Sequence, residues 1–301
     1  MSDPVIVSAE GNVGIIELAR PEKFNCLSLE VHERISAARA EFEANPAIRA
    51  ILIRAQGKHF CTGADLVEVK GKLNDPAALD HFIAFGMNNL RALETSSLPV
   101  VVAVQGLCLA GGIELMLSCD VCFAAETAQF GDQHAQFGLI PGWGGSQRLT
   151  RLMGLRRALD LMFSARWLKA DEAKDAGLVN YIVPDADLHQ AALEYCQKIA
   201  TRSRPGIAEM KRLAREGADL GIDRGSKKDL LSWCDCTVDG DGKVTPNSAT
   251  GLMGALLNGS AGRGGAVDAA VLLTRPLGEG LSGREKCPLK AIGSNMERSM
   301  F

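Results

Sequence analysis

The sequence has no excess of positive charge. Lys and Arg total 33 against 36 Asp and Glu, a net charge of −3. That balance argues against nucleic acid or an anionic membrane surface as the main partner. A long unbroken apolar run is also missing. The best candidate, "LPVVVAVQGLCLAGGIELML", is interrupted by Gln105, Gly106, Gly111, Gly112 and Glu114. A membrane helix needs about 18 or more apolar residues with few charges, so a buried strand followed by a buried helix fits better. The first residues, "MSDPVIVSAEGNVG", have no basic stretch leading into an apolar one and are not Arg-rich. No signal or transit peptide is expected, and the expected compartment is the cytoplasm. The 9 Cys match no metal-ligand spacing, and their odd number and scatter suit free thiols in a reducing compartment. Cys234 and Cys236 form a C-x-C pair, but without further Cys or His at ligand spacing they read as structural or incidental thiols. No metal is expected. "GWGGSQ" lacks the G-x-S-x-G pattern of a serine-hydrolase elbow.

What the chain does have is apolar content: 47% hydrophobic against 23% charged over 301 residues. This is enough for a sizeable core in one large domain, or one domain with an appendage. "VIVSAE" and "VGIIELA" read as strands separated by the turn residues Gly11 and Asn12. Ser28 is a candidate cap for the helix "LEVHERISAARAEFEAN". "IRAILIRAQG" reads as a buried strand, "KHFCTGADL" as a loop and residues 75–97 as helix. "VVVAVQG" is a further strand leading to a helix that opens at Gly111, and "VCFAAETAQFG" is strand again. Residues 143–176 read as short helices, "LVNYIVP" as the last core strand and residues 186–217 as helix. Strands alternating with helices predict a mixed α/β core with parallel pairing.

The C-terminal part differs. Residues 235–301 hold 12 of the 32 Gly, and Phe301 is their only aromatic residue. With few large side chains to pack, this tail is expected to be weakly ordered, with "AVDAAVLLT" as a possible short helix.

Glu114 stands out because it lies in the otherwise apolar "LAGGIELML". One reading pairs it with a base at a helix start, where acidic residues are favoured. The other follows from its neighbours. Gly111 and Gly112 open a helix just after a strand, where glycine admits a ligand close to the backbone and free N–H groups bind developing negative charge. A buried carboxylate three residues later has a raised pKa suited to acid–base work. In "HFCTGADL", Gly63 permits an unusual turn that lets the Ala64 N–H face a ligand. Alternatively, the motif is a plain turn with Asp65 as a cap.

Together these pieces resemble the crotonase superfamily, the enoyl-CoA hydratase/isomerase family. The segments that carry the resemblance are "RPEKFNCLS", "GKHFCTGADL", "LPVVVAVQGLCLAGGIELMLSCDVCFAA", "AQFGDQHAQFGLIPGWGGSQRLTRLMG" and "ADEAKDAGLVNYIVP". They occur in family order over roughly residues 5–215. The resemblance implies an α/β fold, a spiral of ββα units with a helical C-terminal region. With the Gly-rich tail (235–301) set apart by its composition, the expected division of the rest is a core with an acyl-CoA site (1–195) and a helical region (196–234). The resemblance further implies an acyl-CoA substrate, no cofactor beyond the coenzyme A of that substrate, and assembly into homotrimers or pairs of trimers.

Carried over by motif, the oxyanion hole is the N–H groups of Ala64 and Gly111, and Glu114 is one of the two acid–base glutamates of the hydratases. The position of the second is held by His134. An imidazole can hold water and exchange a proton near neutral pH, and Asp132 beside it either orients the ring or caps a turn. Changing His134 back to Glu is expected to restore the usual pair and keep hydration. Trp143 stands where the family usually has a small residue, so it either narrows the acyl pocket or simply packs. Gly142 is expected to line that pocket, and Gly63, Ala64, Asp65 and Leu66 to edge the coenzyme A. The family's Lys two positions after "GAD" is Val67 here, leaving Lys23 or Lys58 as the candidate phosphate contact. The expected reaction is reversible hydration of a trans-2-enoyl-CoA in fatty acid metabolism. Its rivals are another reaction through the same enolate (isomerisation, C–C hydrolysis or decarboxylation) and a non-catalytic module that binds acyl-CoA or RNA.

Overall fold

Strands β1 (Val5–Glu10) and β2 (Val13–Leu18) form an antiparallel hairpin that turns at Gly11 and Asn12, the turn the sequence predicts. In the computed structural model, which describes residues 3–220 and the short strands Cys236–Val238 and Val244–Pro246, this hairpin begins a six-stranded sheet. β3 (Ala50–Ala55), β4 (Val100–Val104), β6 (Val121–Ala125) and β9 (Tyr181–Val183) follow in parallel, giving the order β1-β2-β3-β4-β6-β9. The central strands are continuous apolar runs, as expected of parallel strands buried on both faces. Every residue of β4 is buried.

A second, three-stranded sheet joins β5 (Leu107–Leu109), β7 (Gln129–Gly131) and β8 (Leu168–Lys169). β5 and β7 are parallel, and the single residue Cys61 extends the sheet by a parallel bridge to Cys108. Each turn of chain therefore gives one strand to the large sheet and one to the small: β3 then Cys61, β4 then β5, β6 then β7. This is the expected spiral of ββα units. The short strands β5 and β8 and the helix α2 (Leu66–Lys72) are elements the sequence reading did not single out.

Helix α1 (Leu29–Ala44) starts where Ser28 predicts it: the Ser28 hydroxyl accepts from the Val31 N–H at 3.2 Å. α3 (Pro76–Glu94) has Asp75 as its cap and Pro76 at its first position, where proline lacks only an N–H that would be unbonded anyway. It packs against α1. α4 (Gly111–Leu117) is buried along its whole length. α5 (Gly145–Met153), α6 (Leu155–Ser164) and α7 (Ala170–Asp175) are the predicted short helices. α8 (Leu188–Ala200) and α9 (Arg204–Gly217) follow. Arg215 of α9 bonds Glu94 and Asp120, both at 2.8 Å, and Lys211 bonds Asp120 at 2.7 Å. No helix among the described residues is long and apolar enough to cross a membrane. Strands β10 (Cys236–Val238) and β11 (Val244–Pro246) pair antiparallel. Cys234, the segment "AVDAAVLLT" and the rest of the tail lie outside the described residues.

Candidate active site

The register of the small sheet brings the candidate site together. Cys61 and Cys108 face each other across a parallel bridge, so positions equally far beyond them are neighbours as well. Three residues on from each stand Ala64 and Gly111. A Cβ built on Gly111 would lie 3.3 Å from the Ala64 nitrogen, so the two backbone positions are close neighbours. Neither N–H donates a hydrogen bond among the described residues. Two turns of uncommon backbone conformation precede them. Gly63 has φ +108, in the region glycine enters at no steric penalty. Ala110 has φ 48 and ψ −118, a backbone that a residue with a Cβ enters only at a cost of about 1–3 kcal/mol. Such strain is characteristic of ligand-binding turns, and here it converts β5 into α4 within one residue.

Glu114 lies in the first turn of that helix and is 1% exposed. Its Oε1 accepts hydrogen bonds from the N–H groups of Trp143 and Gly145, each at 2.8 Å. Its Oε2 lies 3.7 Å from Nε2 of His134. At that separation one water oxygen can sit about 2.8 Å from both atoms. His134 opens the 3-10 turn His134–Phe137, just beyond β7. Asp132 Oδ1 lies 2.9 Å from Nδ1 of His134 and also accepts from the His134 backbone N–H at 3.1 Å. Burial pushes the Glu114 carboxyl above its ordinary range, against the pull of the Gly145 and Trp143 N–H groups and of His134. For His134, burial acts downward, but the Asp132 hydrogen bond and the Asp132 and Glu114 charges outweigh it and leave the imidazole above its usual value. Glu114 and His134, predicted as partners, therefore do face each other, and one oxygen of Asp132 meets both the ring and the backbone N–H of His134.

Trp143 is 2% exposed. A Cβ on Gly111 would come 2.5 Å from its Cζ3, and one on Gly86 of α3 would come 2.4 Å from its Nε1. The indole thus spans from the Gly111 backbone to α3, packed edge-on to His32 (ring centroids 4.6 Å apart) and beside Phe82 (5.6 Å). Behind it, Nδ1 of the fully buried His32 lies 3.1 Å from the amide of Asn89. Trp143 Nε1, His32 Nε2 and Asn89 Oδ1 are all buried without a hydrogen-bond partner among the described residues. Gly142 is half-buried and faces Ile83. The loop that carries Trp143 is pinned from beneath. Arg148 Nη1 donates to the Trp143 carbonyl at 2.6 Å, and Nη2 bonds Glu94 at 3.0 Å.

The coenzyme-edge candidates are placed differently. Asp65 spends its carboxylate on capping α2 and on Arg20, at 3.0 Å. Anything it offers a ligand comes from its backbone. Leu66, the first residue of α2, is 40% exposed. Lys23 and Lys58 are exposed, and between them Phe24 stacks on His59 at 5.5 Å. The sequence reading missed Gly86, His32, Asn89, Glu94 and Arg148. Arg148 lies within the quoted "AQFGDQHAQFGLIPGWGGSQRLTRLMG" but its partner does not, since Glu94 and Arg148 meet from 54 positions apart, and the other four lie outside the segments that carry the family resemblance.

Comparison with known proteins gives one answer. Residues 8–230 match the family described as enoyl-CoA hydratase/isomerase. The chain is similar to a probable enoyl-CoA hydratase of Rhizobium meliloti, at 35% identity over 74% of this chain and 85% of that one. It is also similar to the short-chain-enoyl-CoA hydratase of Clostridium acetobutylicum, at 34% identity over 73% and 84%. The crystal structure of the enoyl-CoA hydratase from Bacillus anthracis superposes with a TM-score of 0.73 at 32% identity, covering 76% of this chain and 88% of that one.

Proposed function

This chain belongs to the enoyl-CoA hydratase/isomerase family of the crotonase superfamily, and from that premise we propose that it reversibly hydrates a trans-2-enoyl-CoA to the 3-hydroxyacyl-CoA. The observation that carries this reading is the 3.7 Å approach of Glu114 Oε2 to His134 Nε2 beside two unbonded N–H groups. In the hydration direction Glu114 takes a proton from water as its oxygen adds to C3. The thioester oxygen, now enolate, is held by the N–H groups of Ala64 and Gly111. Each such donor is worth on the order of 3 kcal/mol to the transition state. Protonated His134 delivers its Nε2 proton to C2. The proton taken by Glu114 then returns to His134 across the short gap, and the pair is reset with one water consumed.

Trp143 supports a narrower substrate class. Its indole lies against Gly111, where the acyl group must pass, and the space behind it holds the unpaired polar atoms of His32 and Asn89. A long alkyl tail would meet first the ring and then polar groups it cannot satisfy, so the favoured acyl groups are short. Gly142 with Trp143 forms the wall, while Gly63, Ala64 and Leu66 edge the coenzyme and Lys23 meets its phosphates. Assembly into homotrimers belongs to the same reading, and light scattering on the purified chain tests it.

The test of the reaction is incubation with crotonyl-, hexenoyl- and decenoyl-CoA, following the conjugated thioester absorbance and the product mass. The expected result is loss of conjugation with a gain of one water. Unchanged mass would make the protein an isomerase, and a shortened acyl chain would make it a lyase or hydrolase of another kind.

A further inference from the structure

Proton transfer at the site uses one imidazole nitrogen of His134, while the other is bound to a carboxylate that no step employs. We propose that Asp132 is a positioning residue: its buried carboxylate holds the Nδ1–H of His134 and so presents Nε2 alone to Glu114 and the substrate. This role presupposes the acid–base reading of Glu114 and His134.

Asp132 directly follows the last residue of β7 and is 1% exposed. A turn cap needs only the bond from the His134 backbone N–H, at 3.1 Å. The contact with Nδ1, at 2.9 Å, ties the same oxygen to the imidazole as well. Its other oxygen, Oδ2, is buried with no hydrogen-bond partner among the described residues, and no Lys or Arg reaches the carboxylate there. A buried carboxylate without a cation is costly, and among the described residues His134 is the one side chain in contact that can supply the charge. The groups acting on His134 are Asp132 from the end of β7 and Glu114 from α4, both negative. Both favour the imidazolium, in line with its raised pKa. His134 therefore enters hydration as the acid. It gives up the Nε2 proton to C2, keeps the Nδ1 proton on Asp132 throughout, and recovers the Nε2 proton from Glu114. Asp132 neither gains nor loses a proton.

The experiment is Asp132→Asn, read first by NMR. The His134 Cε1–H signal is identified among the 5 His of the chain by its absence in His134→Gln, and is followed against pH in the free protein. The expected result is a titration displaced to lower pH in the Asn variant. The alkaline limb of kcat/KM for crotonyl-CoA should move with it, and kcat should fall by about ten- to a hundredfold with KM little changed. Asp132→Glu, which keeps the charge, should return part of the displacement. An imidazole that titrates at the same pH in wild type and in Asp132→Asn overturns the proposal, as does a wild-type signal that titrates below free histidine, which needs no variant to fold. Should the displacement appear while the wild type hydrates no enoyl-CoA, the positioning stands and the hydratase reading falls.

Discussion

Glu114→Gln replaces one atom at the centre of the site and leaves its shape. The carboxylate has two separable jobs. Oε1 accepts from the Trp143 and Gly145 N–H groups at 2.8 Å each, and a glutamine carbonyl accepts from the same two, so the loop keeps its place. Oε2, 3.7 Å from His134 Nε2, becomes an amide nitrogen that takes no proton from water. Losing a general base removes about 10²–10⁴ in rate, or about 3–5 kcal/mol of transition-state stabilisation. Ala64 and Gly111 are untouched, so affinity for a saturated probe such as butyryl-CoA should stay close to wild type. Stability should move the other way. Burial raises the folded-state pKa of Glu114, so the folded chain holds this proton more tightly than the unfolded one. Above the folded pKa the ionised group therefore weighs against folding, and that penalty vanishes below the unfolded value. The amide carries no such penalty, so Glu114→Gln should melt at or above the wild-type temperature at pH 8. The assays are crotonyl-CoA absorbance, calorimetric titration with butyryl-CoA, and scanning calorimetry. A variant that keeps near-normal turnover refutes the base assignment. One that loses activity only by melting early makes Glu114 a structural residue.

Two further outcomes follow from the residues around Trp143. Wild type should bind butyryl-CoA much more tightly than decanoyl-CoA, with Trp143→Ala narrowing the gap; equal binding of both by wild type would remove the indole from substrate selection. His32, pushed down to about 4 by burial from 6.5, stays neutral in the fold while the unfolded imidazole protonates. Stability should therefore be lost as pH falls from about 6.5 to about 4, by on the order of 3 kcal/mol. His32→Gln should lose less over that range in urea titrations, and equal losses in both proteins would refute this account.

The parallel core was legible because its strands are apolar runs with helices between them, and the cap Ser28 sits beside the helix it starts. The site was legible where its chemistry is local: Gly63 with Ala64, and Gly111 with Glu114. What escaped were contacts made only by folding. Gly86 is an unremarked glycine in a helix until the Trp143 indole is seen resting on it, 57 positions away. Asp65 reads equally as a ligand or a cap until Arg20 and the α2 N–H groups are found to occupy its carboxylate. The short strand β5 lies in a segment whose glycines dominate the sequence signal, yet its register with Cys61 makes neighbours of Ala64 and Gly111.

The fold also changes what the His134 position means. From sequence alone, His134→Glu restores the paired carboxylates of the usual hydratases and should keep hydration. In the fold, a glutamate at 134 would meet two carboxylates already buried there, Glu114 and Asp132, each 1% exposed. Like charges so close are not all ionised together, so at least one would hold a proton and its pKa would rise steeply. Histidine converts the same crowd into one cation between two anions. His134→Glu alone should therefore be slower than wild type at neutral pH and should recover as pH is lowered. Adding Asp132→Asn removes the surplus charge, so the double variant should be faster than His134→Glu, although Asp132→Asn slows the wild type. A substitution that harms one background and helps the other gives a coupling energy that opens the double-mutant cycle. It is read from kcat/KM for crotonyl-CoA across pH in the four proteins. If Asp132→Asn is equally harmful in both backgrounds, the carboxylate acts on the turn and not on the residue at 134, and the histidine needs an explanation other than Asp132.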